Sequence, residues 1–138
     1  DQAESDWRLN GLDPARHHRL QGDAFDVMRN LEPATYDHVI VDPPAFAKTR
    51  KDVESAFKAY KDVFRLGARA TASGGFLWCF SCSQHMDRTR FQEAVWTAVL
   101  EAERNAQVLA HLGQPIDHPY ALGHPEGFYL KGLLLRLE

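Results

Sequence analysis

Cysteine is scarce in this 138-residue chain: there are two, Cys79 and Cys82, three positions apart. That excludes a disulfide framework and fits a reducing compartment, the cytoplasm. Long apolar runs are absent too. None approaches the roughly 18 residues that span a bilayer, so no membrane partner is expected. The stretch from Asp1 to Asp6 is polar and acidic, unlike a secretory signal. Neither sign of charge dominates: a net charge of −3 and a pI near 6.2 lack the basic excess of a free-standing nucleic-acid binder. Internal repeats, low-complexity tracts and long linkers are missing as well, which leaves one domain.

What is present is enough for a single core, since 44% of residues are hydrophobic and 25% charged, a globular and not a disordered balance. The chain opens on a helix that "NGLDP" (Asn10–Pro14) stops. A short strand is expected at about His17–Gln21, then one or two helical turns in "FDVMRNL". Val39, Ile40 and Val41 form a nearly continuous apolar run, the pattern of a central parallel strand buried on both faces. Val53, Phe57, Tyr60, Phe64 and Ala68 recur at spacings of three and four and predict a helix over Asp52–Ala70. Gly74-Gly75 closes that unit, and Phe76–Phe80 reads as a second buried strand. A helix over Thr89–Arg104 and strands in "AQVLAHLGQ" and "FYLKGLLLRLE" complete the chain. Alternating strands and helices make an α/β domain with a mostly parallel sheet, and the short link between the last two strands allows one antiparallel edge pair.

Ligands of such sheets sit at the carboxyl ends of strands. Three ends carry chemistry here: Asp23; Asp42-Pro43-Pro44 with Phe46 close behind; and Ser81-Cys82-Ser83. The two prolines fix two φ angles and remove two donors, so a carboxylate is held extended beside a rigid bend. Asp-Pro-Pro is either a strand terminator or a polar site in which Phe46 stacks on a flat substrate. Asp23 is either the N-cap of the next helix or an acceptor for an exocyclic amine. Lys48, Arg50, Lys51, Lys58, Lys61, Arg65 and Arg69 fall within 22 positions, as a solvated helix face or as a phosphate-facing rim. His118, after Asp117, is either a loop hydrogen bond or part of a substrate rim.

The cysteines separate by geometry. Side chains alternate along a strand, so positions 79 and 82 point to opposite faces. A redox Cys-x-x-Cys opens a helix, whereas this one lies in and after a strand. Zinc takes four ligands and a second cysteine pair is absent, so no metal is expected. Cys79 sits in the apolar run as inert core. Cys82 stands just past the strand end, between two serines, where a reactive group belongs.

Taken together, "DAF", "DHVIVDPPAF", "AYKDV", "GGFLWCFSCSQH", "GQPIDHP" and "EGFYLKGLLLRL" resemble the C-terminal catalytic half of bacterial 23S rRNA cytosine-5 methyltransferases, which depend on S-adenosylmethionine and carry an N-terminal PUA domain. The resemblance runs from Leu9 to the last strand. It implies a partial Rossmann-like, class I methyltransferase sheet across residues 1–138. It also implies S-adenosylmethionine as cofactor, 23S rRNA as partner, Cys82 as nucleophile and Asp42 as the group that hydrogen-bonds the cytosine. Asp23, Ala24, Asp42 and Pro43 become cofactor contacts; Pro44, Phe46, Lys48 and His118 become substrate contacts. A complete fold of this class begins with a strand, a Gly-rich turn and a second strand, and none of these precedes Asp1. The first two strands of the sheet are therefore expected to be missing, and the chain alone is expected to bind the cofactor weakly and to lack activity. Two other functions stay open: a methyltransferase acting on a base nitrogen (guanine N7 or adenine N6), for which Cys82 is incidental, and a non-catalytic docking element that forms a homodimer through an exposed sheet edge.

Overall fold

The computed structural model describes residues 2–138. Helix α1 (Gln2–Leu9) and a 3-10 turn at Pro14–Arg16 come first, followed by α2 (Ala24–Arg29) and β1 (Tyr36–Val41). The long helix α3 (Val53–Ala70) runs directly into β2 (Thr71–Ser81), and α4 (Arg88–Glu101) leads to β3 (Ala106–Leu112) and β4 (Lys131–Leu137). The strands form one sheet in the order β1-β2-β4-β3. Among the described residues no helix is long and apolar enough to cross a membrane.

The helices start where local chemistry dictates. Thr49 and Asp52 form a capping box ahead of α3: the Thr49 backbone N–H and hydroxyl both donate to Asp52 Oδ2 at 2.8 Å. Those bonds hold the Asp52 carboxyl below its ordinary pKa. Asp87 caps α4 by accepting from the Arg90 N–H at 2.7 Å.

The apolar periodicity of α3 then decides the core. Tyr60, Val63, Phe64 and Ala68 are buried, and Phe64 meets Phe91 of α4 edge-on at 5.8 Å. Both helices lie over one face of the sheet, against Val41, Leu77, Cys79, Leu133 and Leu135. Gly67 permits the closest approach: a Cβ there would stand 2.8 Å from a Val41 methyl and 3.0 Å from Leu77.

Five expectations change. Residues 17–21 form no strand: none of the four strands of the sheet takes them in, and Leu20 is 68% exposed. Three of the four strands run the same way, as expected, but the antiparallel strand does not lie at the edge: β4 inserts between β2 and β3 and runs antiparallel to both. Burial on both faces does not hold either: Val41 is 5% exposed but its neighbour Ile40 is 68% exposed. Finally, Gly74-Gly75 lies within β2 instead of ahead of it. Gly74 takes φ +77°, and the β1–β2 register shifts across this stretch. The last strand begins at Lys131, which leaves Phe128–Leu130 in the approach to it.

Candidate functional site

Because β2 and β3 both run antiparallel to β4, they are parallel to each other, and β1 is parallel to β2. The carboxyl ends of β1, β2 and β3 therefore share one edge of the sheet with the amino end of β4. Asp42 follows β1 directly and Cys82 follows β2 directly. The two residues are forty positions apart in sequence, yet both line one cavity of about 510 Å3.

Pro43 and Pro44 line the cavity next to Asp42, and so do Gln114, His118 and Tyr129. The segment after β3 is pinned by its own bonds. Gln114 Oε1 accepts from the Tyr129 N–H at 3.0 Å, and Gln114 Nε2 donates to the His118 carbonyl at 3.2 Å. The His118 ring is in turn 3.1 Å from the Tyr129 hydroxyl. His118 is thus both a loop hydrogen bond and a cavity residue.

Behind the cavity lies a buried polar network. The Ser83 hydroxyl, fully buried, is 2.8 Å from the Tyr60 hydroxyl and accepts from the Ala47 N–H at 3.1 Å. Tyr60 also reaches the Pro44 carbonyl at 3.4 Å, and the Ser83 N–H donates to Ser81 Oγ at 3.3 Å. A helix residue, the Asp-Pro-Pro bend and the Ser-Cys-Ser turn are thereby tied together, which fixes Cys82 relative to Pro44. Lys131, only 5% exposed, completes the network from β4: its Nζ donates to the Ser83 carbonyl at 2.8 Å and the Tyr129 carbonyl at 2.5 Å. Burial and the nearby Arg88 guanidinium lower its pKa to about 8, while the charges of Cys82 and Asp87 act in the opposite sense.

The two cysteines differ as their positions require. Both are free; Cys79 is fully buried and its thiol is pushed well above its ordinary pKa by desolvation, whereas Cys82 is partly exposed at the cavity.

Other sequence-flagged residues lie elsewhere. Asp23 caps α2, its Oδ1 accepting from the N–H groups of Phe25 at 2.9 Å and Asp26 at 3.2 Å. It borders a shallow groove between α2 and α3, and Ala24, the first residue of α2, is exposed beside it. Phe46 packs its ring edge-on against Tyr60 at 4.8 Å, outside the cavity that holds Cys82. Lys48 is exposed on the loop before α3. Of the cationic stretch, two side chains on α3 meet carboxylates: Lys61 meets Glu101 at 2.6 Å and Arg65 meets Asp62 at 2.5 Å. Among the described residues no cluster of three or more His, Cys, Asp or Glu side chains is placed to hold a metal ion.

Sequence reasoning gave no role to Lys131 or Gln114, read Tyr60 only as part of the apolar helix face and named Ser83 only as a neighbour of Cys82. One signal was available for Lys131. It stands in phase with Leu133, Leu135 and Leu137, so a charge falls on the buried side of an otherwise apolar strand.

No protein-family model matches the chain. Over 138 residues it is 39% identical to a protein named ribosomal RNA large subunit methyltransferase I from Aeromonas salmonicida; the match takes in 99% of this chain and 35% of the relative. The chain thus spans about a third of the length of the curated relatives it matches. A solved structure described as a candidate methyltransferase complexed with SAH superposes with a TM-score of 0.74 at 23% identity, over 96% of this chain and 34% of that one. A second, described as a candidate SAM-dependent methyltransferase from Streptococcus mutans, gives the same values. The chain therefore has the α/β fold of the S-adenosylmethionine-dependent methyltransferases.

Proposed function

We propose that this chain is the catalytic part of an S-adenosylmethionine-dependent methyltransferase acting on cytosine C5 of 23S rRNA. The observation that carries the reading is the shared cavity: Asp42, Pro43, Pro44 and Cys82 converge from the carboxyl ends of adjacent parallel strands. The similarity to a large-subunit rRNA methyltransferase over 99% of the chain supports the substrate class.

Cytosine C5 is a poor nucleophile, so the base must first be activated. The Cys82 thiolate adds to C6, forming a C–S bond and shifting an electron pair toward C5. Asp42 accepts a hydrogen bond from the exocyclic amino group and shares a proton with N3, which neutralises the negative charge that thiolate addition builds on the ring. After C5 is methylated, a base removes the C5 proton, the C5–C6 double bond re-forms and the Cys82 sulfur leaves as thiolate. Pro43 and Pro44 lack N–H groups and shape a rigid wall, and the target base must be unpaired or flipped to reach it. His118 and Lys48 contact the RNA at the rim, while Phe46 acts through Tyr60 by bracing the loop.

The donors present suit the adenine end of the cofactor. Both bonds that cap α2 end on Asp23 Oδ1, so the exposed carboxylate has Oδ2 to accept from an amine, beside Ala24 and Phe25. When bound, S-adenosylmethionine supplies the electrophilic methyl group.

Methyl transfer to 23S rRNA is to be measured in the full-length protein. Cys82→Ala abolishes turnover, and RNA containing 5-fluorocytosine forms a stable covalent complex through Cys82, because fluorine cannot leave as a proton does. Cys79→Ala, which removes a buried thiol remote from the cavity, keeps activity. Turnover by the Cys82→Ala protein would sink the covalent mechanism and favour a base nitrogen as methyl acceptor.

A further inference from the structure

We infer that His118 is the base that takes the C5 proton, a sharper role than a contact at the rim; it rests on the reading of Cys82 as nucleophile. His118 and Cys82 line the same cavity, together with Asp42. His118 is held there by three bonds. Its backbone N–H donates to the Pro115 carbonyl at 3.0 Å, its carbonyl accepts from Gln114 Nε2 at 3.2 Å, and its ring Nε2 lies 3.1 Å from the Tyr129 hydroxyl. The Tyr129 ring meets the imidazole edge-on, with centroids 6.0 Å apart. Tyr129 is fixed in turn, its N–H donating to Gln114 Oε1 and its carbonyl accepting from Lys131 Nζ. The other nitrogen of the imidazole, Nδ1, has no partner among the described residues. With Nε2–H donating to the tyrosine oxygen, Nδ1 keeps the lone pair that a proton needs.

The other side chains of the cavity that can gain or lose a proton are Asp42, Cys82, Asp117 and Tyr129. None suits the step as well. Cys82 is bonded to C6 while the proton leaves, and Asp42 is engaged at N3 and the amino group. A neutral phenol is a feeble proton acceptor. Asp117 is exposed, and among the described residues no side-chain hydrogen bond or ion pair aims its carboxylate at the ring. An imidazole accepts and gives up a proton near neutral pH, which a base must do once in every turnover. In the step the C5–H bond breaks, and its electron pair becomes the second bond between C5 and C6. The C6–S bond breaks with its pair on sulfur, and the proton ends on Nδ1. The carboxylates of Asp42 and Asp117 offset the imidazolium charge. His118 is exposed, so the proton then passes to water.

Methyl transfer is followed in the full-length protein with unmodified 23S rRNA and S-adenosylmethionine labelled in its methyl group. In His118→Ala the thiolate still adds and the methyl still transfers, but the C5 proton stays, so the RNA remains bonded to Cys82. Turnover is expected to fall about a hundredfold or more, while a methyl-labelled protein–RNA band that survives denaturation builds up in stoichiometric amount. Loss of a mere rim contact weakens binding and leaves no methylated adduct. Free imidazole releases the trapped RNA, because alanine leaves room for it. A folded His118→Ala protein that turns over like the native one overturns the inference, and so does lost turnover without the methylated adduct. An adduct that accumulates in Asp117→Asn and not in His118→Ala gives the proton to Asp117 and overturns it too. RNA containing 5-fluorocytosine tells the two failures apart. Native protein that forms no covalent complex with it removes Cys82 and His118 together; native protein that is trapped, beside a His118→Ala protein of normal turnover, removes His118 alone.

Discussion

On the helix-covered face of the sheet, Leu77, Cys79 and Leu133 are at most 2% exposed; on the opposite face, Ile40 is 68% exposed although it adjoins buried Val41 in the same strand. The two faces are built from residues of one kind. Val39, Leu77 and Leu135 form a row across β1, β2 and β4 under α3 and α4, while Ile40, Trp78 and Leu134 form the next row on the other side. Period-2 alternation sends neighbours to opposite faces, and the helices alone decide which face is core. The difference reaches into the site. Ser81, Ser83 and Lys131 continue the buried phase of their strands past the apolar residues, so the polar network behind Cys82 is an extension of the covered core. The wall of the cavity behind Cys82 thus takes its rigidity from the covered face.

The largest expected effect is on that face. Phe64 is fully buried between Tyr60, at 5.7 Å, and Phe91, at 5.8 Å. Phe64→Ala removes most of this contact from the α3–α4 seam and costs about 3–5 kcal/mol in urea unfolding. A loss below about 1.5 kcal/mol would mean that the two helices do not define the core as described. A smaller effect is expected at Gly67, where the added methyl of alanine meets Val41 and Leu77 and must push α3 outward. Gly67→Ala is expected to cost about 1–3 kcal/mol by overpacking, in spite of alanine's better helix propensity. Stabilisation in the same unfolding assay would show that helix and sheet are not in close contact there.

Much of this was legible before the structure. The spacing of Tyr60, Phe64 and Ala68 fixed which side of α3 is buried, and the run ending in Asp42 located a strand terminus with chemistry on it. Strand alternation separated Cys79 from Cys82, and both lie where that reasoning put them, one in the core and one at the cavity. The segment at 17–21 was read as a strand, but a strand exists only within a ladder, which a local pattern cannot supply. Phe46 was assigned to the substrate side because an aromatic after Asp-Pro-Pro looks available, and its contact with Tyr60 of α3 is one that no local pattern announces. The Tyr60–Ser83 contact joins residues 23 positions apart and depends on how two loops meet, so no periodicity announces it.

The open face offers the finest test of the contrast. Ile40→Thr removes apolar area from a side chain that is already mostly in water, keeps the β-branch and leaves the β1–β2 ladder intact. Its expected cost lies within about 0.5 kcal/mol, the range of ordinary surface substitutions. The same change at Val41, one residue on, places a hydroxyl against Gly67 and Leu77 with no partner in sight, and is expected to cost about 1–3 kcal/mol. The ratio of the two losses, measured by urea unfolding at matched protein concentration, is the quantity that separates the faces. If the losses at Ile40 and Val41 prove equal and large, the exposed row is covered in solution and the asymmetry of the sheet is false; if Ile40→Thr is silent and Val41→Thr is not, alternation plus two helices accounts for the whole difference.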